Sequence, residues 1–173
     1  MKIAIGGLSG CGKTTIGQKL SEELGIEHIS FSFKDLAKQK GISLMKFQEL
    51  ARKNPDIDLD FDKMLYGRIK NKNDFVITTW LGPWFDKLFD IKFDFKIWIN
   101  LDEKTRAERL SKRDGFLIDD AKKHLKERDL QNQKRYIKLY NIDIFDKSSF
   151  DFEIENRDIA DSIRQILNNI KRN

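Results

Sequence analysis

The sequence predicts an α/β fold in which a parallel sheet is covered by helices on both faces. Three observations predict it. A glycine-rich stretch at residues 7–14 stands between a short apolar run and a stretch of helical periodicity. Further along, short β-prone runs alternate with longer helix-like segments, as in a parallel sheet with helical crossovers. Of the 173 residues, 39% are apolar and 35% are charged, so we expect one globular domain spanning residues 1–173.

The glycine-rich stretch, G-L-S-G-C-G-K-T, fits the pattern G-x-x-x-x-G-K-[ST] of a P-loop. Its glycines allow backbone N–H groups to converge on phosphate oxygens, and the helix that follows adds its positive dipole. Lys13 is expected to reach the β- and γ-phosphates, and Thr14 to offer its hydroxyl to Mg²⁺. The fold class is therefore a P-loop NTPase with ATP and Mg²⁺ as ligands. The predicted ATP-binding residues of the loop are Gly7, Leu8, Ser9, Gly10, Cys11, Gly12, Lys13, Thr14 and Thr15.

The remaining elements follow from apolar periodicity and turn residues. Strands are predicted at residues 2–5, 27–30, 75–79, 95–101 and 152–155. Helices are predicted at residues 13–24, 34–40, 43–53, 58–71, 103–114 and 118–140, with a further helix striped by Ile159, Ile163, Ile166 and Ile170. Gly25 is expected to end the first helix, and Ser43 and Asp102 are expected to cap two others. About forty helical residues thus separate the second and third strands, which predicts a helical acceptor-binding region at about residues 31–72.

The net charge of +5 is concentrated late in the chain, where residues 104–138 hold twelve Lys and Arg against six Asp and Glu. Two arginine stripes of helical spacing lie there: Arg106, Arg109 and Arg113 in the first, Arg128 and Arg135 in the second. A solvated helical face would explain Lys122, Lys123 and Lys126. Phosphoryl transfer, in contrast, depends on placed positive charge. We therefore predict that Arg113, Arg128 and Arg135 are functional.

Several motifs together resemble those of the short cytidylate kinases of archaea, which are nucleoside monophosphate kinases. They are the loop at residues 7–15, F-K-D-L-A at 33–37, N-P-D-I-D at 54–58, R-A-E-R at 106–109, R-D-G at 113–115, E-R-D at 127–129, R-Y at 135–136 and Y-N-I-D-I at 140–144. The resemblance covers nearly the whole chain. Its most specific part is the segment from Arg128 to Tyr140.

The resemblance implies transfer of the γ-phosphate of ATP to CMP or dCMP, giving CDP or dCDP. It implies that Arg109 and Arg113 belong to a mobile lid at about residues 106–128, with Arg109 contacting ATP. It also implies that Arg128 and Arg135 grip the phosphates of donor and acceptor. The implied catalytic residues are Lys13, Arg113, Arg128 and Arg135, and the implied acceptor-binding residues are Lys34, Asp58 and Asn132.

The chain departs from the family pattern at four places, one of which is a segment before Lys34 that is about two residues shorter than usual. Lys34 stands where an arginine is usual, and Asn132 stands where related kinases carry an aspartate. The run T-W-L-G-P-W at residues 79–84 replaces an acidic-Gly-Arg run, so Thr79 or Asp102 would have to organise water around Mg²⁺. Trp80 and Trp84 are expected either to stack on a pyrimidine or to seal the core, and we favour the second.

Other functions remain open at this level. The acceptor could be another monophosphate or a small metabolite, although a hydroxyl acceptor would need a carboxylate base. A basic P-loop NTPase that binds RNA is a further alternative, against which the chain shows no interleaving of aromatic and basic residues. The single cysteine, Cys11, and the absence of a signal peptide or long apolar run predict a cytoplasmic enzyme without a membrane partner. Nucleic acid is not expected as a partner, and a monomer is expected.

Overall fold

The computed structural model describes residues 1–172, apart from the side chains of Leu44 and Arg52. Its strands are β1 (Lys2–Gly7), β2 (Glu27–Ile29), β3 (Phe75–Ile77), β4 (Phe95–Asn100) and β5 (Phe152–Glu155). Its α-helices are α1 (Lys13–Leu24), α2 (Phe33–Gln39), α3 (Leu44–Lys53), α4 (Asp56–Ile69), α5 (Phe85–Phe89), α6 (Glu103–Asp114), α7 (Ile118–Tyr140) and α8 (Ile159–Arg172). A short 3₁₀ helix, Gly82–Trp84, precedes α5.

The strands form one parallel sheet in the order β2-β3-β1-β4-β5. Strand β1 is central and pairs with both β3 and β4, with Ile3 opposite Val76 on one side and Phe95 on the other. Because the strands are parallel, their carboxyl ends lie at one edge of the sheet, and ligands of such sheets bind beyond that edge. The loop at residues 7–14 leaves β1 in the middle of it.

Alternating side chains of the sheet supply two hydrophobic cores, one on each face. Ile3 and Ile5 of β1 belong to the core under α1 and α8, whereas Ala4 belongs to the core under α4. The same alternation separates Ile97 from Trp98 on β4. Successive strand side chains point to opposite faces, so a strand that is apolar throughout is covered on both sides. The prediction of a sheet with helices on both faces is confirmed.

The predicted end signals of several helices are confirmed. Gly25 adopts a left-handed conformation with φ of 65° after α1. The hydroxyl of Ser43 accepts a hydrogen bond from the N–H of Lys46 at 3.2 Å, at the start of α3. A carboxylate oxygen of Asp102 accepts one from the N–H of Thr105 at 2.9 Å, at the start of α6. Each satisfies a backbone group that the helix end leaves without a partner.

Two parts of the predicted element pattern were wrong. Helix α4 begins at Asp56 and not at residue 58, because Pro55 precedes it with φ of −59°, the value that suits the start of a helix. The 3₁₀ helix and α5 were not predicted, since a Gly-Pro pair indicates a turn and α5 has only five residues. They bury Trp84, which is 2% exposed and meets Phe150 edge to face. Trp84 therefore seals the core, as favoured above.

Helices α2, α3 and α4 fill the segment between β2 and β3, where the helical insertion was predicted. Phe33 of α2 packs edge to face on Phe47 of α3 and on Phe61 of α4, which ties the three helices together. Among residues 1–172, no helix combines the length and the apolar character needed to cross a membrane.

Helix α1 packs so closely on the sheet that Gly17 has no room for a side chain. A Cβ at Gly17 would lie 2.2 Å from Cγ2 of Thr78 and 2.8 Å from Nε2 of His28. We expect Gly17→Ala to lower the free energy of unfolding by about 1–3 kcal/mol through overpacking. Urea denaturation measures this change.

Gly67 provides the matched control, because it also lies within a helix and a Cβ there would meet nothing within 4 Å. We expect Gly67→Ala to be neutral or to stabilise by up to about 1 kcal/mol, since alanine restricts the unfolded chain. Equal effects of the two substitutions would contradict the close packing of α1.

Candidate active site

The loop between β1 and α1 has a backbone that only glycine fits well at three positions. Gly7, Gly10 and Gly12 have φ of 146°, 79° and 96°. A Cβ at Gly7 would lie 2.7 Å from the carbonyl oxygen of Ile99, and one at Gly12 would lie 2.3 Å from Nδ2 of Asn156. The tight path of the loop therefore follows from its glycines, and it is the loop shape that phosphate binding requires.

The amine of Lys13 lies over the start of the loop. Its Nζ donates to the carbonyl oxygens of Gly7 at 2.7 Å and Leu8 at 3.0 Å, and it lies 4.8 Å from the centre of the Trp80 ring. Burial is the main cause that lowers the pKa of Lys13, and the charge of Arg128 acts in the same direction. An anion beside this amine would offset both effects.

Ser9, in the middle of the loop, is held by Arg106 of α6 and Asp129 of α7; we call these three residues the Ser9 clamp. The N–H of Ser9 donates to Oδ1 of Asp129 at 3.1 Å, and Nη1 of Arg106 donates to the carbonyl oxygen of Ser9 at 3.0 Å. Arg106 and Asp129 also pair with each other at 2.7 Å, and both are buried. The phosphate loop is thus fixed to both helices that bear the arginine stripes.

Two further contacts hold the end of the loop. Nδ2 of Asn156, which follows β5 and is fully buried, donates to the carbonyl oxygen of Cys11 at 2.7 Å. Arg109 donates to the carbonyl oxygen of Asn156 at 2.9 Å and reaches that of Cys11 at 3.5 Å. The structure therefore places Arg109 against the loop and the β5–α8 connection.

Arg128 adds positive charge near Lys13, and Arg113 adds positive charge near Arg128. Arg128 is half-buried and makes no hydrogen bond or ion pair with another residue in the described part of the chain. Burial lowers the pKa of its guanidinium, and the nearby charge of Arg113 lowers it further. Arg113 is exposed and makes two hydrogen bonds to the carboxylate of Asp114, at 2.9 and 2.7 Å. Arg113 is therefore paired with a carboxylate and Arg128 is not, so an ATP phosphate would supply the partner that Arg128 lacks.

Of the predicted acceptor residues, Asp58 lies on α4 beside Arg135 of α7, and Asn132 lies on α7 as well. Nε of Arg135 lies 3.5 Å from Oδ1 of Asp58, and its guanidinium lies over the rings of Phe33 and Tyr136 at 5.1 and 4.9 Å. Asn132 is only 9% exposed and lies one turn before Arg135. The structure therefore pairs Asp58 with Arg135, and it buries Asn132 one turn before Arg135 on α7.

Lys34 is placed differently from the other acceptor residues. It is exposed at the start of α2, and its charge helps to lower the pKa of Asp114 at the end of α6. Lys34 thus lies near Asp114, at the end of α6.

A second buried carboxylate, Asp62, lies one turn after Asp58 on α4. The hydroxyl of Tyr140 donates to its Oδ2 at 2.7 Å. Burial raises the pKa of Asp62 to about 7, and the charge of Asp58 acts in the same direction, against the hydrogen bond from Tyr140. Burial also raises the pKa of Asp58.

One side chain beside the loop, that of Thr14, is suited to bind Mg²⁺. Thr14 is exposed in the first turn of α1, and no other described residue engages its hydroxyl. Mg²⁺ usually keeps several waters and takes few protein ligands besides the phosphates, so one hydroxyl is compatible with it. The hydroxyls of Thr78 and Thr79 are engaged by His28 and by the N–H of Gly82, each at 2.9 Å. The hydroxyl of Thr79 therefore already has a hydrogen-bond partner, the N–H of Gly82.

Asp102, the other residue considered for ordering water around Mg²⁺, is occupied as well. Its carboxylate caps α6, accepting from the N–H and the hydroxyl of Thr105 at 2.9 and 2.8 Å. Within residues 1–172, no three His, Cys, Asp or Glu side chains gather into a metal-binding group.

Four residues of this region were missed as site residues in the sequence. Arg106 stood in the first arginine stripe, and Asp129 stood in the E-R-D motif, so local signals existed for both. Asp62 could have been found from its spacing of four after Asp58 within a predicted helix. Asn156 gave no signal beyond its position after a predicted strand, because its partner Cys11 is 145 positions away.

Known proteins match this chain over most of its length. The AAA domain family matches residues 3–127. A cytidylate kinase of Pyrococcus horikoshii is 39% identical over 154 residues, which cover 88% of this chain and 78% of that protein. A cytidylate kinase of Methanococcus maripaludis is 33% identical over 178 residues, covering 99% of both.

Among solved structures, a shikimate kinase from Bacteroides thetaiotaomicron superposes with a TM-score of 0.63 at 14% identity, covering 99% of this chain and 98% of that one. This likeness concerns the fold, which is that of P-loop kinases. The sequence relatives establish the family: the chain belongs to the archaeal cytidylate kinases.

Proposed function

We propose that the protein transfers the γ-phosphoryl group of ATP to CMP or dCMP, giving ADP and CDP or dCDP. The observation that carries this is the arrangement along α7: Arg128, whose charge acts on Lys13, precedes Asp129, which binds the phosphate loop, and Arg135, two turns further on, pairs with Asp58. One rigid helix therefore joins the two halves of the site. The names of the relatives support the choice of cytidylate as the acceptor.

The proposed reaction does not need a general base. The attacking atom is an oxygen of the acceptor phosphate, which is already anionic, so catalysis consists of positioning and charge stabilisation. The carboxylate nearest the loop agrees with this, because Asp129 is fully occupied by Ser9 and Arg106. Lys13, Arg113 and Arg128 supply the positive charge toward the transferring group. Bound Mg²⁺, held by Thr14 and the ATP phosphates, would neutralise further charge on them.

The lid at about residues 106–128 is part of the same proposal. Helix α6 and the first part of α7 pack through a small core of their own, made of Ala107, Leu110, Ala121 and Leu125. The connection between the helices is exposed and contains Gly115 with φ of 76°. The exposed tip of this helical hairpin can move about Gly115 while Arg106 and Arg109 hold its base, and closure would exclude water from the phosphoryl group.

The proposal extends to the location, the oligomeric state and the partners of the enzyme. We place it in the cytoplasm, where ATP and pyrimidine nucleotides are available, and we treat it as a monomer. Its partners are then its substrates alone.

A panel of acceptors tests the proposed function directly. ADP release from ATP is measured with CMP, dCMP, UMP and AMP, and we expect CMP or dCMP to give the highest kcat/KM. Lys13→Ala should lower kcat by about 100-fold or more, because it removes a charge placed at the transferring group. Best activity with AMP, or full turnover by a folded Lys13→Ala variant, would contradict the proposal.

Arg128 and Arg135 should differ in what they contribute. Arg128→Lys keeps the charge near Lys13 but loses the planar fork that binds two oxygens, so we expect kcat to fall at least about tenfold with little change in ATP affinity. Arg135→Lys should chiefly raise the KM for CMP, since Arg135 lies beside Asp58.

Lys134→Ala is the control for this pair, because Lys134 is exposed on α7 between them. Its kinetic constants should match those of the unmodified enzyme. If Arg128→Lys and Arg135→Lys also kept the kinetic constants of the unmodified enzyme, the two arginines would be surface charges and not parts of the site.

A further inference from the structure

A buried polar cluster lies between α4 and α7 and is made of Asp58, Asp62, Arg135 and Tyr140; we call it the α4–α7 cluster. Asp58 and Asp62 are 3% and 2% exposed. Two carboxyl groups four residues apart on a buried helix face are costly unless each has its hydrogen bonds. Packing of α4 against α7 could be achieved by apolar side chains alone, so the cluster calls for another explanation.

The hydrogen bonding of the cluster is incomplete. Oδ2 of Asp62 accepts from Tyr140 at 2.7 Å, but Oδ1 of the same carboxyl group is buried and has no hydrogen-bond partner. Nε of Arg135 is likewise buried without one, since its contact with Asp58 at 3.5 Å is an ion pair and not a hydrogen bond. Unsatisfied buried polar atoms are uncommon in native proteins. They are the groups that a bound ligand would satisfy.

The position of the cluster suits the base of the acceptor nucleotide. Arg128 lies near Lys13, and the seven residues from Arg128 to Arg135 correspond to a rise of roughly 10 Å along α7. That rise is comparable to the distance from the phosphate of a nucleoside monophosphate to the far edge of its base. Flat surfaces lie beside the cluster, because Phe31 stacks on Phe61 and Phe33 lies under the guanidinium of Arg135.

We propose that Asp62 reads the base of the acceptor, its free Oδ1 accepting a hydrogen bond from the 4-amino group of cytosine, and that this contact selects CMP over UMP. The inference rests on the proposed function for its acceptor class. Tyr140 holds Oδ2 and thereby fixes which oxygen of the carboxyl group faces the base. Uracil presents a carbonyl oxygen at the same position, so two acceptors would face each other and the contact would be lost.

The selection of CMP over UMP should depend on pH. Only the ionised carboxyl group of Asp62 acts purely as a hydrogen-bond acceptor, whereas the protonated group can also donate. The groups facing Asp62 are Asp58 on its own helix and Arg135, Tyr136 and Tyr140 on α7. Burial and Asp58 raise the pKa of Asp62 to about 7. Below that pH the protonated group can donate to uracil, so the CMP/UMP ratio of kcat/KM should rise between about pH 6 and pH 8. Ionisation of the acceptor phosphate cancels in this ratio, because the two nucleotides share it.

Asp62→Asn tests the proposal most sharply. The amide oxygen can still accept from Tyr140, while an NH₂ group takes the free position and turns an acceptor into a donor. We expect the CMP/UMP ratio of kcat/KM to fall by at least about tenfold, as for loss of a hydrogen bond to a charged group, and to lose its dependence on pH. Asp60→Asn is the matched control, because Asp60 is exposed on the same helix, and its ratio should not change.

Tyr140→Phe is a second variant that keeps the proposal testable if Asp62→Asn does not fold. It leaves the carboxyl group in place but removes the hydroxyl that orients it, so the CMP/UMP ratio should fall, by less than in Asp62→Asn. A folded Asp62→Asn or Tyr140→Phe variant with the unmodified ratio would overturn the role of Asp62, as would an unmodified enzyme that uses CMP and UMP equally. If the unmodified enzyme used neither nucleotide, the proposed function itself would fail, and this inference with it.

Discussion

Asp129 binds the N–H of Ser9 with one carboxylate oxygen and the guanidinium of Arg106 with the other, while Arg106 binds the carbonyl oxygen of Ser9. All three residues are buried, so the interaction is weakly screened, and the loss of any one partner leaves polar groups without bonds. The loop needs this support because its glycines give it a tight path without rigidity of its own. The Ser9 clamp thus fixes the phosphate loop relative to the helices that carry the arginines.

Helix α7 extends from the Ser9 clamp to the other residues of the candidate site. Asp129 lies in the clamp, Arg128 precedes it beside Lys13, and Asn132 and Arg135 follow toward Asp58. The proposed donor and acceptor sides are therefore joined by one continuous helix of 23 residues. The clamp also lies at the base of the helical hairpin proposed as the lid, so movement of the hairpin tip need not disturb the phosphate loop.

The sequence predicted those features that depend on local pattern. The bounds of α6 and α7 were predicted as observed, because Asp102 caps the start of α6 and Gly115 ends it before α7 begins. The phosphate loop was predicted because its residues are consecutive. Features that depend on contacts between distant residues were missed: Asn156 acts on a loop at the other end of the chain, and Asp62 is paired with Tyr140, 78 positions away. The missing acidic residue near Thr79 was evident in the sequence, but the engagement of Thr79 with Gly82 was not.

A double-mutant cycle on Arg106 and Asp129 tests the central claim that the clamp holds the phosphate loop. Arg106→Met, Asp129→Leu and the double variant are compared by urea denaturation and by ATP affinity. We expect each single variant to lose about 3–5 kcal/mol of unfolding free energy, because it leaves a buried charge unpaired, and to bind ATP more weakly. The double variant should lose no more than the worse single variant. Small, additive losses with unchanged ATP affinity would contradict the account.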